Sequence, residues 1–538
     1  MTDDFGAAAA PLVSTIDPAD GAALAAATPE RCGGKAAALI RMAAAGLPVP
    51  PGFVLTTELC RRYHRLGRSV VDTAMAEVRA AMTALERTTG RGFGDSRRPL
   101  LVSVRSGAAV SMPGMLETVL NVGLNNEALS GLIRQSGSPR FAWDCYRRLV
   151  QQFAEVVHGK PAQPFAAIVE DEVRTVGAAT ERELDFAAWE RVTASFLTLY
   201  RTLTGRAFPS DPYRQLDDAI EAVLKSWMSD RARLFRRLED LSDEGGTAVT
   251  VQAMVYGNVG SRSGAGVGFT RDPASGEKRL YLDFRSRAQG EDVVSGRASA
   301  AGAEGLVQAQ SAVFAEIERA AALLETLFGD MQDFEFTVED GRLYLLQART
   351  GYRSPLAALR IAVDMVEEGL IDRETALARL AQIDLEAIAV HRLEVGAGAT
   401  TLLRATPASG GVAVGAAAFD ATAVDRLVRQ GIPAILIRDD LSTADIGAIA
   451  AAAGVIARRG ARTAHAAVVA RRLGKVCLVG AHTLRPAPDG GAATVGEATI
   501  AEGDFLSIDG KAGLVYAGRL PIVSDRPERA LVVVRGWR

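Results

Sequence analysis

Strand-like and helix-like segments are sorted into blocks along this chain, and the order of the blocks limits the folds open to it. Residues 30–124 mix one helix with strands and glycine turns, and residues 125–240 are mainly helical. Strands and glycine loops return over 241–352, two helices occupy 353–400, and strands alternate with helices over 401–519. Helical and strand periods alternating in this way predict an α/β multidomain protein. At 538 residues the chain is long enough for three or four domains of ordinary size. The Ala-, Asp- and Pro-rich residues 1–29 are expected to be flexible, and 520–538 to be a tail too short for another domain.

Composition removes several function classes. The net charge of −3 argues against general nucleic-acid binding, so any basic patch is local. Four scattered cysteines without CxxC spacing argue against zinc and fit a reducing cytoplasm. The acidic start MTDDF has no signal-peptide plan, and the apolar run 446–457 is too short for a bilayer. A cytoplasmic protein without a membrane partner is the expectation.

Chemistry concentrates in a few stretches. RRGARTAHAAVVARRLG, residues 458–474, places His465 before a small-apolar run, which predicts a helix starting at or near the histidine with Thr463 as its cap. A helix N-terminus stabilises an arriving anion and disfavours imidazolium, leaving a ring nitrogen free to attack phosphorus. Arg458, Arg459, Arg462, Arg471, Arg472 and Lys475 are expected to crowd around it. A packed or capping histidine on a basic helix is the plainer alternative.

Cys32-Gly33-Gly34-Lys35 predicts Lys35 in the first turn of a helix ending near Gly46, within reach of a phosphate. Residues 100–104 (LLVSV) read as a buried strand with Arg105 at its end, facing a Gly-containing loop where it could clamp phosphate. Gly257, Gly260, Gly264, Gly266 and Gly268 are expected to let backbone amides fold over phosphates. MQDFEF, residues 331–336, alternates as a half-buried strand does, so Asp333 and Glu335 share a face. A hairpin through Glu339-Asp340-Gly341 brings Gln347 and Arg349 back beside them. Two carboxylates and a glutamine make an oxygen-rich site suited to Mg²⁺ on a nucleotide triphosphate. Ser354-Pro355 and Asp372 each start a connector helix, with Gly369 between them. The first, residues 354–368, would span about 22 Å at ~1.5 Å per residue, enough for a lever.

In order along the chain, GGKAAAL, SVRSGAAVSMPGMLETVLNVG, GVGFTRDPASGEK, AQGEDVV, MQDFEF, LLQAR and TAHAAVVAR resemble the pyruvate phosphate dikinase family from about residue 30 to about 518. The resemblance implies an ATP-grasp domain with a helical insertion, a helical connector and a small swivelling β/α phosphohistidine domain. Position by position it implies that Lys35 and Arg105 contact phosphates and that Asp333, Glu335 and Gln347 handle Mg²⁺, with Arg349 beside them. His465 matches the phosphorylated histidine and Thr463 the threonine before it.

The QGEDVV and GFTRDP wording is closer to the orthophosphate-using dikinases than to the water-using synthases. Arg462 and Ala464 depart from the family's wording around the histidine, as do Ser261 and Arg262 in the glycine loop. The family's phosphoenolpyruvate/pyruvate barrel has no counterpart in these residues. The expectation is an ATP-dependent phosphotransferase: ATP with orthophosphate phosphorylates His465, and an acceptor held in trans receives the group. A non-catalytic, ATP-binding regulatory relative is the alternative.

Overall fold

Local signals set most element boundaries in the computed structural model, which describes residues 12–17, 19–110, 112, 116–290, 301–441, 445–460, 465–487 and 491–537. The chain divides into one unit of residues 1–259 with 344–347, and a second of 260–343 with 348–538.

The first unit is built on a five-stranded sheet in the order Val13–Ile16, Gly52–Leu55, Ala248–Ala253, Val102–Gly107, Thr118–Val122. Every neighbouring pair in it is antiparallel. The first strand corrects the expected flexible start: Val13 pairs with Leu55, and Ile16 is buried. Alternation of burial along VSTI is enough to hold an edge strand once a neighbour is present. Helices from Asn126–Ser136 to Asp230–Leu238 form the predicted helical block, with Trp189, Phe153, Phe165, Phe196 and Tyr200 in its core.

The second unit opens with another five-stranded sheet, ordered Ala301–Gly302, Tyr281–Ser286, Gly264–Phe269, Gln332–Glu339, Arg342–Thr350. Asp340 and Gly341 both take positive φ (48° and 80°), the geometry a two-residue hairpin turn needs. The connector helices start as their caps dictate. Ser354 accepts from the Ala357 N–H before Pro355–Glu367, and Asp372 accepts from the Thr375 N–H before Arg373–Leu380.

Two expectations about the connector change. Its first helix is not a free lever, because ion pairs bolt it to the sheet that precedes it. Glu368 pairs with Arg271 (2.7 Å) and Lys278 (2.9 Å), and Arg353 binds Asp330. Nor is 520–538 an unpartnered tail. Strand Ile522–Asp525 pairs antiparallel with Val390–Leu393, and helix Glu528–Arg535 packs Leu531 and Val534 onto Leu359, Val363 and Leu380.

The last part of this unit is an eight-stranded sheet whose centre, Val412–Ala418, Ala434–Arg438, Gly454–Ala457 and Val476–Val479, is parallel. Helices Ala421–Arg429, Ile446–Ala451 and His465–Arg472 make the crossovers. The apolar run 446–457 is therefore a short helix followed by a strand. Among the described residues no helix is long and apolar enough to cross a membrane.

Candidate functional site

In the first unit a cationic site is assembled by glycines. Helix Pro29–Ala44 begins earlier than expected, at Thr28-Pro29, because Thr28 caps it and proline suits its first turn. It kinks at Gly33, where φ is 73° and ψ 152°. At that kink the backbone lies so close to strand Val102–Gly107 that a Cβ on Gly33 would stand 2.0 Å from the Gly107 carbonyl oxygen. The Gly34 N–H donates to the Ala108 carbonyl at 2.9 Å, closing the contact.

Lys35 follows directly, its Cβ 4.0 Å from where a Cβ on Gly107 would be. Arg105 is inside the strand rather than at its end, pairing with Thr250 and Thr118. Alternation puts Arg105 on the same face as Gly107, two residues away, and hence on the face Lys35 approaches. Both side chains are half-buried. This is the arrangement a phosphate clamp requires: two cations on one face beside close-approaching backbone.

In the second unit the acidic strand behaves as its period predicts. Asp333 and Glu335 are half-buried on one face, while Phe334 and Phe336 are buried on the other. The glycine expectation is corrected here. Gly264, Gly266 and Gly268 lie inside the central strand, not in a phosphate loop. A Cβ at each would fall 2.2, 2.3 and 2.6 Å from the rings of Phe284, Phe336 and Phe334 respectively. Their hydrogens leave room for rings that cross the strand, and Phe284 and Phe336 stack at 6.1 Å.

Arg349 donates from Nε to Asp333 Oδ2 at 2.9 Å, so the neighbouring strand reaches the acidic face as expected. Gln347 is buried on that same strand. Burial pushes the Asp333 carboxyl above its ordinary value; Arg349 opposes this, Glu335 adds to it, and the charge of Arg471 is also felt there. The Glu335 side chain makes no ion pair or hydrogen bond among the described residues. Among those residues no three or more His, Cys, Asp or Glu form a metal cage. An unpaired, half-buried carboxylate beside a neutralised one fits a hard divalent cation that keeps most of its ligands from water and phosphate. Glu335 is the better match, since Asp333 is already paired.

His465 opens the crossover helix His465–Arg472 after the carboxyl end of parallel strand Gly454–Ala457. That edge of a parallel sheet is where α/β folds place ligands. Thr463, Arg462 and Ala464 lie outside the described residues, as do 291–294 of the QGEDVV stretch. The predicted crowd of cations is reduced. Arg458 and Arg459 both pair with Asp439, and Arg471 is buried against the Ala408 carbonyl.

Three other histidines serve the fold: His64 meets the Leu224 carbonyl at 2.9 Å, His158 the Tyr200 hydroxyl at 2.7 Å and His391 the Ser524 hydroxyl at 2.6 Å. All four cysteines are buried and outside any disulfide, and burial pushes the Cys477 thiol up to about 12. None is a plausible nucleophile.

Sequence reasoning missed Arg271 of the GFTRDP stretch. It is fully buried, bound to Glu325 at 2.9 Å through two nitrogens and to Glu368. Its partners lie 54 and 97 residues away, so no local pattern announces them.

Both parts carry family signatures. Residues 64–302 match the AMP/ATP-binding domain of pyruvate phosphate dikinase, and residues 432–513 match the mobile domain of PEP-utilising enzymes. The class is thus an α/β protein that joins a nucleotide-binding domain to a phosphohistidine-type mobile domain. Among curated relatives, the pyruvate, phosphate dikinase of Rhizobium meliloti is 42% identical over 506 residues, covering 92% of this chain and 56% of its own length. That of Rickettsia conorii is 38% identical over 510 residues, 94% of this chain and 58% of the relative. Pyruvate, phosphate dikinase 2 of Zea mays is 41% identical over 495 residues, 92% and 56%. The chain is similar to the pyruvate, phosphate dikinases over 92–94% of its own length. It spans about half the length of the curated relatives it matches, 56% in the first of them. The likeness supports a dikinase-like, ATP-binding phosphotransferase.

Proposed function

We propose that this chain carries out the nucleotide half of a dikinase reaction, with His465 as the phosphoryl acceptor. ATP and orthophosphate react with the histidine to give AMP, pyrophosphate and phosphohistidine. The α–β and β–γ bridges both break: AMP leaves with the α-group, orthophosphate takes the γ-group as pyrophosphate, and the β-group stays on the ring nitrogen. The observation that carries this reading is the Gly33–Gly107 contact, which puts Lys35 and Arg105 on one face of a nucleotide-binding domain. Paired cations of this kind hold polyphosphate and neutralise charge in the transition state.

Mg²⁺ at Glu335, with Asp333 behind it, would draw off the charge that develops on the phosphates. Arg349 keeps Asp333 paired and oriented when no nucleotide is present. The ATP-grasp lobes are assigned to 30–124 and 241–352, the connector to 353–400 and the phosphohistidine domain to 401–519. The phosphoryl group then passes to an acceptor held on another chain or free in solution.

Purified protein incubated with β- or γ-labelled ATP, with and without phosphate, tests the reading. Acid-labile label from the β-position, dependent on phosphate and absent in His465→Ala, is the expected result. Label retained from the γ-position, or labelling that persists in His465→Ala at the wild-type level, would overturn it.

A further inference from the structure

Arg471 stands at the far end of the helix that His465 begins, and it is buried, with only 4% of its surface exposed. A guanidinium out of water needs hydrogen-bond acceptors and a polarisable surface. Its Nε donates to the Ala408 carbonyl at 3.1 Å, and a terminal nitrogen donates to the same oxygen. This accounts for one edge of the group and ties it to its own domain. Its carbon centre lies 5.3 Å from the centroid of Phe269 and 5.9 Å from that of Tyr281, within cation–π range.

Those two rings belong to the other sheet of this unit, the one that carries the acidic strand. Phe269 is directly opposite Tyr281 on one side and directly opposite Asp333 on the other. Residues opposed in this way project from the same face. Tyr281, Phe269 and Asp333 therefore form a row, with the aromatic end beneath Arg471. The Tyr281 hydroxyl donates to the Pro407 carbonyl at 2.8 Å, one residue before Arg471's own acceptor. Lys511 also approaches Glu277 at 3.5 Å, but with 77% and 33% of their side chains exposed this pair is a weak anchor.

We infer that Arg471 is a positioning residue that seats the histidine-bearing domain on the Phe269–Tyr281 shelf, in line with Asp333, for phosphorylation of His465. The inference rests on the proposed function for its chemistry and on the shelf for its geometry. Six residues separate Arg471 from His465, about 9 Å at ~1.5 Å per residue along a rigid helix. Anchoring the end of that helix limits where its start can lie. A cation on aromatic rings also suits a seat that must be left again. Parting a guanidinium from a ring leaves no charge stranded on the ring side, whereas parting a buried ion pair strands two.

The test uses the full chain and variants on the shelf, which leave the histidine domain's own packing intact. Tyr281→Leu is expected to lower the rate of β-label transfer to His465 by 10- to 100-fold with ATP affinity unchanged within twofold. Tyr281→Phe, which keeps the ring, should fall between it and wild type. Arg471→Lys should resemble Tyr281→Leu, and the combination should be no worse than either alone.

A second readout needs no chemistry. Lys511→Cys and Glu277→Cys in one chain, joined by a short bis-maleimide, report seating against a background of buried native thiols. Tyr281→Leu should slow that crosslink in parallel with labelling. Unlabelled wild-type protein that still crosslinks, with Tyr281→Leu slowing the reaction, would sink the proposed chemistry and keep the seat. Wild-type labelling and crosslinking rates in Tyr281→Leu, or no crosslink in the wild type, would overturn the seat.

Discussion

Glycine builds both the cationic site of the first unit and the strand beside the acidic one in the second, for different physical reasons. At Gly33 it supplies a backbone conformation, φ 73°, and a contact between two main chains that leaves no space for a Cβ. At Gly268 the backbone is ordinary strand and the missing Cβ makes room for the Phe334 ring alone, whereas a Cβ on Gly264 or Gly266 would also meet the Arg285 or Asp283 carbonyl oxygen at 2.7 Å. Backbone cannot retreat without taking its hydrogen bonds along, whereas a ring can tilt or be replaced. The lesson is that a glycine-rich stretch beside a candidate phosphate site says little until one knows what occupies the vacated volume.

The largest effect should come from Gly33→Ala. A left-handed φ and an overlap with the Gly107 carbonyl combine, for about 4 kcal/mol or more of lost stability. Urea unfolding of the chain and calorimetric ATP binding are the measurements; both should collapse together. An alanine tolerated there would end the comparison, since the contact would then be one that yields.

Next come the charges that these two scaffolds hold. Arg105→Ala and Glu335→Ala are each expected to slow His465 labelling by two orders of magnitude or more, about 3 kcal/mol, at unchanged unfolding midpoint. Loss of fold instead of rate would reassign both to structural pairing. Lys35→Ala should act on the same step.

Gly268→Ala should cost less than Gly33→Ala, about 1–3 kcal/mol from overpacking against Phe334. Phe334→Leu in the same chain should recover part of that loss, and a double-mutant cycle measures how much. No such partner exists for Gly33, so rescue there would blur the distinction drawn above.

The smallest effect concerns a charge cluster without any glycine support. Arg526 and Arg535 draw the exposed Glu386 carboxyl from its ordinary 4.5 down to about 2. A lowered folded-state value means the contribution is present above about 4.5 and is lost as pH falls towards about 2. Hydrogen exchange in helix Glu528–Arg535 should therefore quicken slightly across that window, and Glu386→Gln should flatten the dependence.

Read without any coordinates, the residues settle what depends on near neighbours. Ser354-Pro355 and Asp372 start helices because the cap and the N–H it accepts from lie three residues apart. Asp333 and Glu335 share a face because a strand repeats every two residues. Asp340-Gly341 turns the chain because both tolerate positive φ. His465 opens a helix because small apolar residues follow it. The family-specific wording around these elements was legible for the same reason: it is local.

Tertiary structure decided everything that depends on a partner far along the chain. Arg271 finds Glu325 and Glu368 54 and 97 residues away and fixes a helix that local pattern presents as a free lever. Arg458 and Arg459 turn to Asp439, so a run of cations does not amount to an open cationic pocket. Residues 522–535 return to the connector, although nothing in their own pattern names Val390–Leu393 as the strand they pair with. Arg471 meets Phe269 and Tyr281, and Gly266 meets Phe336, only once two sequence-distant surfaces are brought together. Local signals specify the conformation of a segment; the occupant of the space beside it is set by packing across the whole fold.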